Sequence, residues 1–93
     1  MMSLDATLRT VIQAARFKAD LLVTHHPLLF EPVTRENVLG PAGQALTRAV
    51  KEGLSVYSAH TNLDASPQGI NGSLAGLLDL REKRILQETG SGL

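Results

Sequence analysis

The chain has 93 residues, 43% of them hydrophobic, and its nine basic and nine acidic residues cancel to zero net charge. This length fits one small domain over residues 1–93, and the neutral charge argues against a nucleic-acid-binding module. The absence of cysteine excludes disulfide scaffolds, thiolate zinc sites and cysteine nucleophiles. No apolar run approaches the length of a membrane span, and no signal peptide is recognisable, so we expect a cytoplasmic globular protein without a membrane partner.

The first part of the chain predicts a helix followed by a short strand. Apolar residues recur with the 3.6-residue period of a helix at Leu8, Val11, Ile12 and Ala15. Ser3 or Asp5 is the expected N-cap of this helix, because both side chains can accept a backbone N–H. Residues 19–24 include a continuous apolar run, which predicts a strand covered on both faces. Pro27 is expected to end the strand, because proline has no N–H for a sheet.

The middle of the chain predicts a loop, a second helix and a second strand. Residues 28–40 contain Pro32 and Gly40 and are predicted to form the loop. A helix is predicted over residues 41–52, with an apolar stripe at Ala42, Leu46, Ala49, Val50 and Gly53. Residues 54–59 predict a strand in which Leu54, Val56 and Ser58 share one face. Together these elements predict a β-α-β unit with parallel strands.

The last third of the chain is predicted to contain less regular structure. A polar loop is expected from His60 to Gly69, followed by a helix over residues 70–78. Residues 81–86 are predicted to form a short third strand, and residues 90–92 a flexible segment.

All three histidines follow the two predicted strands. His25 and His26 come after the first strand, His60 after the second, and Asp64 four residues later. Because parallel strands end at a common edge, where α/β proteins bind ligands, these side chains are expected to meet. Histidine and carboxylate together suit divalent transition metals, and two close metals are a known hydrolytic arrangement. The pattern therefore predicts a metal site.

Structural interpretations of the same residues stay open. A pair of adjacent histidines is more often structural than metal-binding. Asp64 could serve as a turn residue or a helix cap, and His60 could hydrogen-bond a backbone carbonyl. An ordinary metal-free β-α-β domain is therefore also compatible with the sequence.

Two segments resemble the motifs of a known family. They read ADLLVTHHPL at residues 19–28 and VYSAHTNLD at residues 56–64, and a predicted helix ending at Gly53 lies between them. They are similar to the hallmarks of the GTP cyclohydrolase type 2-like family, also described as Ngg-interacting-factor-three-like dinuclear metal proteins. The pattern of residues 69–75 agrees with this resemblance.

The resemblance implies an α/β fold with three layers and a mostly parallel sheet, of which residues 1–93 would form only a part. It implies that His25 and His26 are metal ligands, that Asp64 is a bridging ligand, and that His60 lines the pocket as a catalytic residue. The cofactors would be divalent ions such as zinc, iron or manganese. A later histidine and glutamate of the family have no counterpart here, which would leave an open site with two histidines and one carboxylate.

The resemblance also implies partners and an activity. Family members resemble toroidal hexamers, so we expect a homo-oligomer. The expected activity is metal-dependent hydrolysis of a nucleotide or another phosphate-bearing ligand, with His60 exchanging a proton. The alternative is a non-catalytic metal-binding or protein-interaction module, or an inactive truncated remnant.

Overall fold

A computed structural model of the chain describes residues 1–35 and 37–85. The chain divides into two compact units, unit 1 at Met1–His60 and unit 2 at Thr61–Leu93. Within the described residues, no helix combines the length and the apolar character that a membrane crossing requires.

Unit 1 contains a parallel sheet and two helices. Its elements are β1 at Met2–Ser3, α1 at Leu8–Arg16, β2 at Leu21–Thr24, α2 at Pro41–Lys51 and β3 at Ser55–Ser58. The strands pair in the order β1-β2-β3, and both pairings are parallel. The predicted α/β class and the β-α-β unit are therefore confirmed. β1 was not predicted, because two residues are too few to show the alternation that marks a strand.

The N-cap of α1 differs from the predicted one. Thr7 caps the helix: its hydroxyl accepts the N–H of Thr10 at 3.2 Å, and the Thr10 hydroxyl accepts the N–H of Thr7 at 2.8 Å. This reciprocal pair satisfies two backbone donors that the helix itself leaves without partners. The prediction of Ser3 or Asp5 is wrong because α1 begins only at Leu8, and Ser3 belongs to β1.

The core of unit 1 lies between the sheet and the two helices. Its buried members are Val11, Ala14, Leu22, Ala45, Ala49 and Leu54. On the opposite face of the sheet, Leu21 is 44% exposed and Tyr57 is 54% exposed. The expectation that the first predicted strand is covered on both faces is therefore wrong at Leu21. α1 and α2 form one layer against the buried face of the sheet, consistent with the predicted α/β class in an incomplete layered arrangement.

The buried face of α2 is rotated relative to the predicted stripe. Gly43, Ala45 and Ala49 are buried, whereas Ala42 is exposed and Val50 is 72% exposed. Small residues let the helix approach its neighbours closely. At Gly43 the approach is tightest, because a methyl group there would collide with the Val38 carbonyl oxygen. Hydrophobicity alone predicts that the larger Val50 is buried. Close packing of the helix instead buries the small residues.

Unit 2 contains two helices among its described residues, α3 at Thr61–Ala65 and α4 at Ile70–Leu77. α4 confirms the helix predicted over residues 70–78. The prediction of a polar loop over residues 60–69 is wrong where α3 forms.

The predicted third strand at residues 81–86 is wrong in its described part, since residues 81–85 form no strand. Asp79 and Glu82 have φ angles of 50° and 51°. Left-handed backbone at these positions interrupts the extended conformation that a strand needs. Residue 86 and the predicted flexible residues 90–92 lie outside the described residues.

Candidate metal centre

The site is built where the three strands of unit 1 end. Asp5 follows β1 by two residues, His25 and His26 follow β2 directly, and His60 follows β3 by two residues. Because the strands are parallel and adjacent, their carboxyl ends lie at one edge of the sheet. The sheet thereby brings residues up to 55 positions apart in sequence to one edge.

Main-chain hydrogen bonds hold the turn that carries the adjacent histidines. The Leu4 carbonyl oxygen accepts the N–H of His25 at 3.2 Å and the N–H of His26 at 3.0 Å. The Thr24 hydroxyl, which belongs to a residue only 2% exposed, donates to the His26 carbonyl oxygen at 2.8 Å. These bonds position the backbone on which both imidazole rings are mounted, and they do not depend on the rings themselves.

The three predicted histidines come together at this edge. The ring centroids of His25 and His26 lie 4.9 Å apart, with an angle of 54° between the ring planes. His60 lies 5.4 Å from His25 and 6.1 Å from His26 by the same measure. At the end of β2, the two neighbouring rings therefore do not point to opposite faces as they would on a regular strand.

Two oxygen atoms define the tautomers of the adjacent histidines. The Nδ1 atom of His25 lies 2.8 Å from the Ala59 carbonyl oxygen, and Nδ1 of His26 lies 2.6 Å from Oδ1 of Asp5. A carbonyl oxygen and a carboxylate oxygen can only accept, so each Nδ1 carries the proton and donates it. In the neutral form of each ring, the lone pair that can bind a metal is consequently on Nε2.

The His60 ring differs from the other two. The residue is half-buried, and no hydrogen bond joins its ring to another residue in the described part of the chain. In this part of the chain, no neighbouring oxygen fixes the tautomer of the His60 ring, whereas oxygen atoms accept from Nδ1 of His25 and His26.

Asp64, the predicted bridging ligand, belongs to α3 in unit 2 and is half-buried. Its carbonyl oxygen accepts a hydrogen bond from Nδ2 of Asn71 at 3.1 Å, which joins α3 to α4. Across residues 1–35 and 37–85, no three histidine, cysteine or acidic side chains form a group able to hold a metal ion. The ligand roles predicted for His25, His26 and Asp64 stay predictions.

Asp5 is the site residue that sequence reasoning missed. The sequence indicates only a helix cap for this residue, because the strand before it spans just Met2–Ser3. Had that strand been detectable, Asp5 would have stood at the carboxyl end of a parallel strand, as the histidines do. Asp5 could have been identified only by its position after β1, and β1 is too short to recognise from sequence.

Comparison with known proteins agrees with the motifs and with the fold. The family model of Duf34/NIF3 (NGG1p interacting factor 3) matches residues 1–93. The chain belongs to this family. The earlier resemblance, based on the two histidine-containing segments, is confirmed at the level of the family.

Individual known proteins are similar to this chain along nearly all of its length. A protein of Listeria monocytogenes named GTP cyclohydrolase 1 type 2 homolog is 35% identical over 91 residues, which is 98% of this chain and 24% of that protein. The crystal structure of a Bacillus cereus protein related to NIF3 has a TM-score of 0.80 and 32% identity, covering 95% of this chain and 24% of that one. Reduced HcgD from Methanocaldococcus jannaschii has a TM-score of 0.82 and 36% identity, covering 94% and 34%.

Proposed function

We propose that this chain binds a divalent metal ion, zinc, iron or manganese, through His25 and His26. The carrying observation is the pair of hydrogen bonds at Nδ1, 2.8 Å long for His25 and 2.6 Å long for His26. Metal-binding histidines characteristically donate their second ring N–H to a carbonyl or a carboxylate, which orients the ring and makes it a stronger ligand. Both histidines have this arrangement, so their donor atoms fit such an ion.

The activity that these residues best support is hydrolysis of a nucleotide or another phosphate-bearing ligand. When bound, a divalent metal supplies Lewis-acid polarisation of an oxygen atom. His60, 5.4 Å from His25 between ring centroids, is the residue we assign to proton exchange with the ligand. The name of the Listeria monocytogenes relative, GTP cyclohydrolase 1 type 2 homolog, supports a nucleotide as the class of ligand.

Metal binding is tested first, on untagged protein stripped of metal and titrated with zinc or manganese. We expect near-stoichiometric binding by the wild-type chain and at least a tenfold weaker Kd for His25→Ala and His26→Ala, on the order of the loss typical at metal sites. His60→Ala is the matched control, because it removes an imidazole from the same cluster without removing a proposed ligand. Wild-type protein that binds neither ion, or equal losses for all three variants, would contradict the assignment.

Turnover is tested separately, with nucleoside triphosphates and a chromogenic phosphoester as substrates. We expect His60→Ala to retain its metal and to lose most of the turnover. Metal binding without turnover of any phosphate ester would support the alternative, a non-catalytic metal-binding module. The predicted homo-oligomer is a further proposal, which sedimentation equilibrium of the same preparations measures directly.

A further inference from the structure

We propose that Asp5 is the positioning residue of His26. Its carboxylate holds the ring as the Nδ1–H tautomer, so that the lone pair which can bind a metal is on Nε2. This inference rests on the proposed metal binding. The carboxylate Oδ1 lies 2.6 Å from Nδ1 of His26, although 21 residues separate the two positions. Such a short contact between a carboxylate and an imidazole N–H is a charge-assisted hydrogen bond.

Among the described residues, the Asp5 carboxylate makes no other hydrogen bond. Thr7, not Asp5, caps α1. The Asp5 carbonyl oxygen accepts the Thr10 hydroxyl at 2.9 Å, so main-chain anchoring at this residue is independent of the carboxylate. The histidine turn is likewise held through the Leu4 carbonyl oxygen. Removing the carboxylate should therefore leave the local backbone in place.

The exposure of the pair argues against a role in stability. The side chain of His26 is 49% exposed and that of Asp5 is 53% exposed. Side-chain contacts with this exposure contribute little to folding, because water competes for the hydrogen bond. A contact that adds little stability can still select one of two tautomers, since neutral imidazole places its proton on either nitrogen at a small difference in free energy.

Comparison with the neighbouring residue makes the role of Asp5 specific. For His25, a main-chain oxygen fixes the tautomer, because the Ala59 carbonyl oxygen accepts from Nδ1 at 2.8 Å. His26 lies two residues beyond Thr24, the last residue that pairs with β3, and its Nδ1 contacts the Asp5 side chain just after β1 instead. Two adjacent histidines thus acquire the same tautomer from two different acceptors. Only the acceptor for His26 can be removed by substitution.

The test compares Asp5→Ala with Asp20→Ala, in the full chain. Asp20 is an exposed aspartate immediately before β2, at the opposite end of the strand from the histidines. In metal-free protein at mildly alkaline pH, long-range ¹⁵N spectra report the tautomer of each imidazole. We expect Asp5→Ala to shift His26 toward the Nε2–H form while His25 stays Nδ1–H, and Asp20→Ala to change neither.

The second readout is zinc affinity, measured by competition with a chelating dye. We expect Asp5→Ala to weaken the Kd about 10- to 100-fold, the usual effect of removing the acceptor behind a metal-binding histidine. In a His26→Ala background, the same substitution should have no further effect, because the ring it positions is gone. Asp5→Asn keeps a neutral acceptor and should fall between wild type and Asp5→Ala.

The outcomes separate this inference from the proposed function. A wild-type Kd retained within twofold by Asp5→Ala, or an unchanged His26 tautomer, would overturn the role of Asp5 while metal binding stands. Failure of the wild-type chain to bind zinc or manganese would overturn the proposed function. The tautomer spectra of the metal-free protein would then still decide whether Asp5 orients the His26 ring.

Discussion

The hydroxyl groups of Thr24 and Ser58 lie 3.2 Å apart on neighbouring strands and link the ends of β2 and β3. The two residues are partners in the parallel register, and each is the last residue of its strand, just before the histidines. The Thr24 hydroxyl also donates to the His26 carbonyl oxygen. A single buried hydroxyl therefore joins the sheet to the turn that carries the candidate metal ligands.

Replacing this hydroxyl should weaken both the fold and the site. Thr24→Val keeps the side-chain shape but leaves the His26 carbonyl oxygen and the Ser58 hydroxyl without their partner. We expect the free energy of unfolding to fall by about 1–3 kcal/mol, measured by urea denaturation. Thr47→Val, at an exposed position of α2, is the matched control and should change stability by less than about 0.5 kcal/mol. Equal effects of the two substitutions would contradict a special role for the Thr24 hydroxyl.

The one-sided burial of β2 predicts opposite consequences for adjacent leucines. Leu22 is fully buried, whereas Leu21 is 44% exposed. We expect Leu22→Ala to lower the free energy of unfolding by about 2–5 kcal/mol, because it removes buried apolar atoms and leaves a cavity. Leu21→Ala should cost much less in the same denaturation experiment. A comparable loss at both positions would indicate that the second face of the sheet is covered in solution.

Two helical glycines should respond to alanine with opposite signs. At Gly43 a new methyl group would collide with the Val38 carbonyl oxygen, whereas at Gly76 no atom lies within 4 Å of the added carbon. We expect Gly43→Ala to destabilise the protein by about 1–3 kcal/mol. Gly76→Ala should stabilise it by about 0.4–1 kcal/mol, because alanine restricts the unfolded chain more than glycine does. Thermal unfolding followed by circular dichroism distinguishes the two, and a stabilising Gly43→Ala would show that α2 can move away from Val38.

The start of α1 can be located by removing candidate caps one at a time. Thr7→Ala should lower the free energy of unfolding by about 0.5–2 kcal/mol, the usual range for loss of an N-cap side chain. Ser3→Ala should have little effect, since Ser3 belongs to β1 and does not cap the helix. Chemical denaturation of both variants provides the measurement. A larger loss for Ser3→Ala than for Thr7→Ala would contradict the observed helix start.

The predicted ligand role of Asp64 is open to a direct measurement. If its carboxylate binds the metal, Asp64→Asn should weaken the zinc Kd about 10-fold or more, because a neutral amide is a poorer ligand for the ion. Asp79→Asn, at a position 84% exposed in the same unit, is the matched control. Identical affinities of the two variants would remove Asp64 from the ligand set and leave His25 and His26 as the candidates.

The α/β class, the two longer strands and the convergence of the histidines could all be predicted from sequence. Residues 19–24 and 54–59 carry local apolar patterns strong enough to mark strands, and a helix between two strands makes them parallel. Parallel strands end at one edge, which is sufficient to bring His25 and His60 together without knowledge of any side-chain contact.

Features that depend on contacts between separate segments of the chain could be seen only in the folded protein. The two-residue strand β1 is held by pairing with β2 and has too little periodicity of its own to be recognised. That pairing is what brings Asp5 to His26. The buried face of α2 likewise depends on packing in the shared core, where Ala45 and Ala49 are buried while Val50 is 72% exposed. Local sequence patterns encode periodicity, whereas register, close approach and hydrogen-bond partners arise only when separate segments pack together.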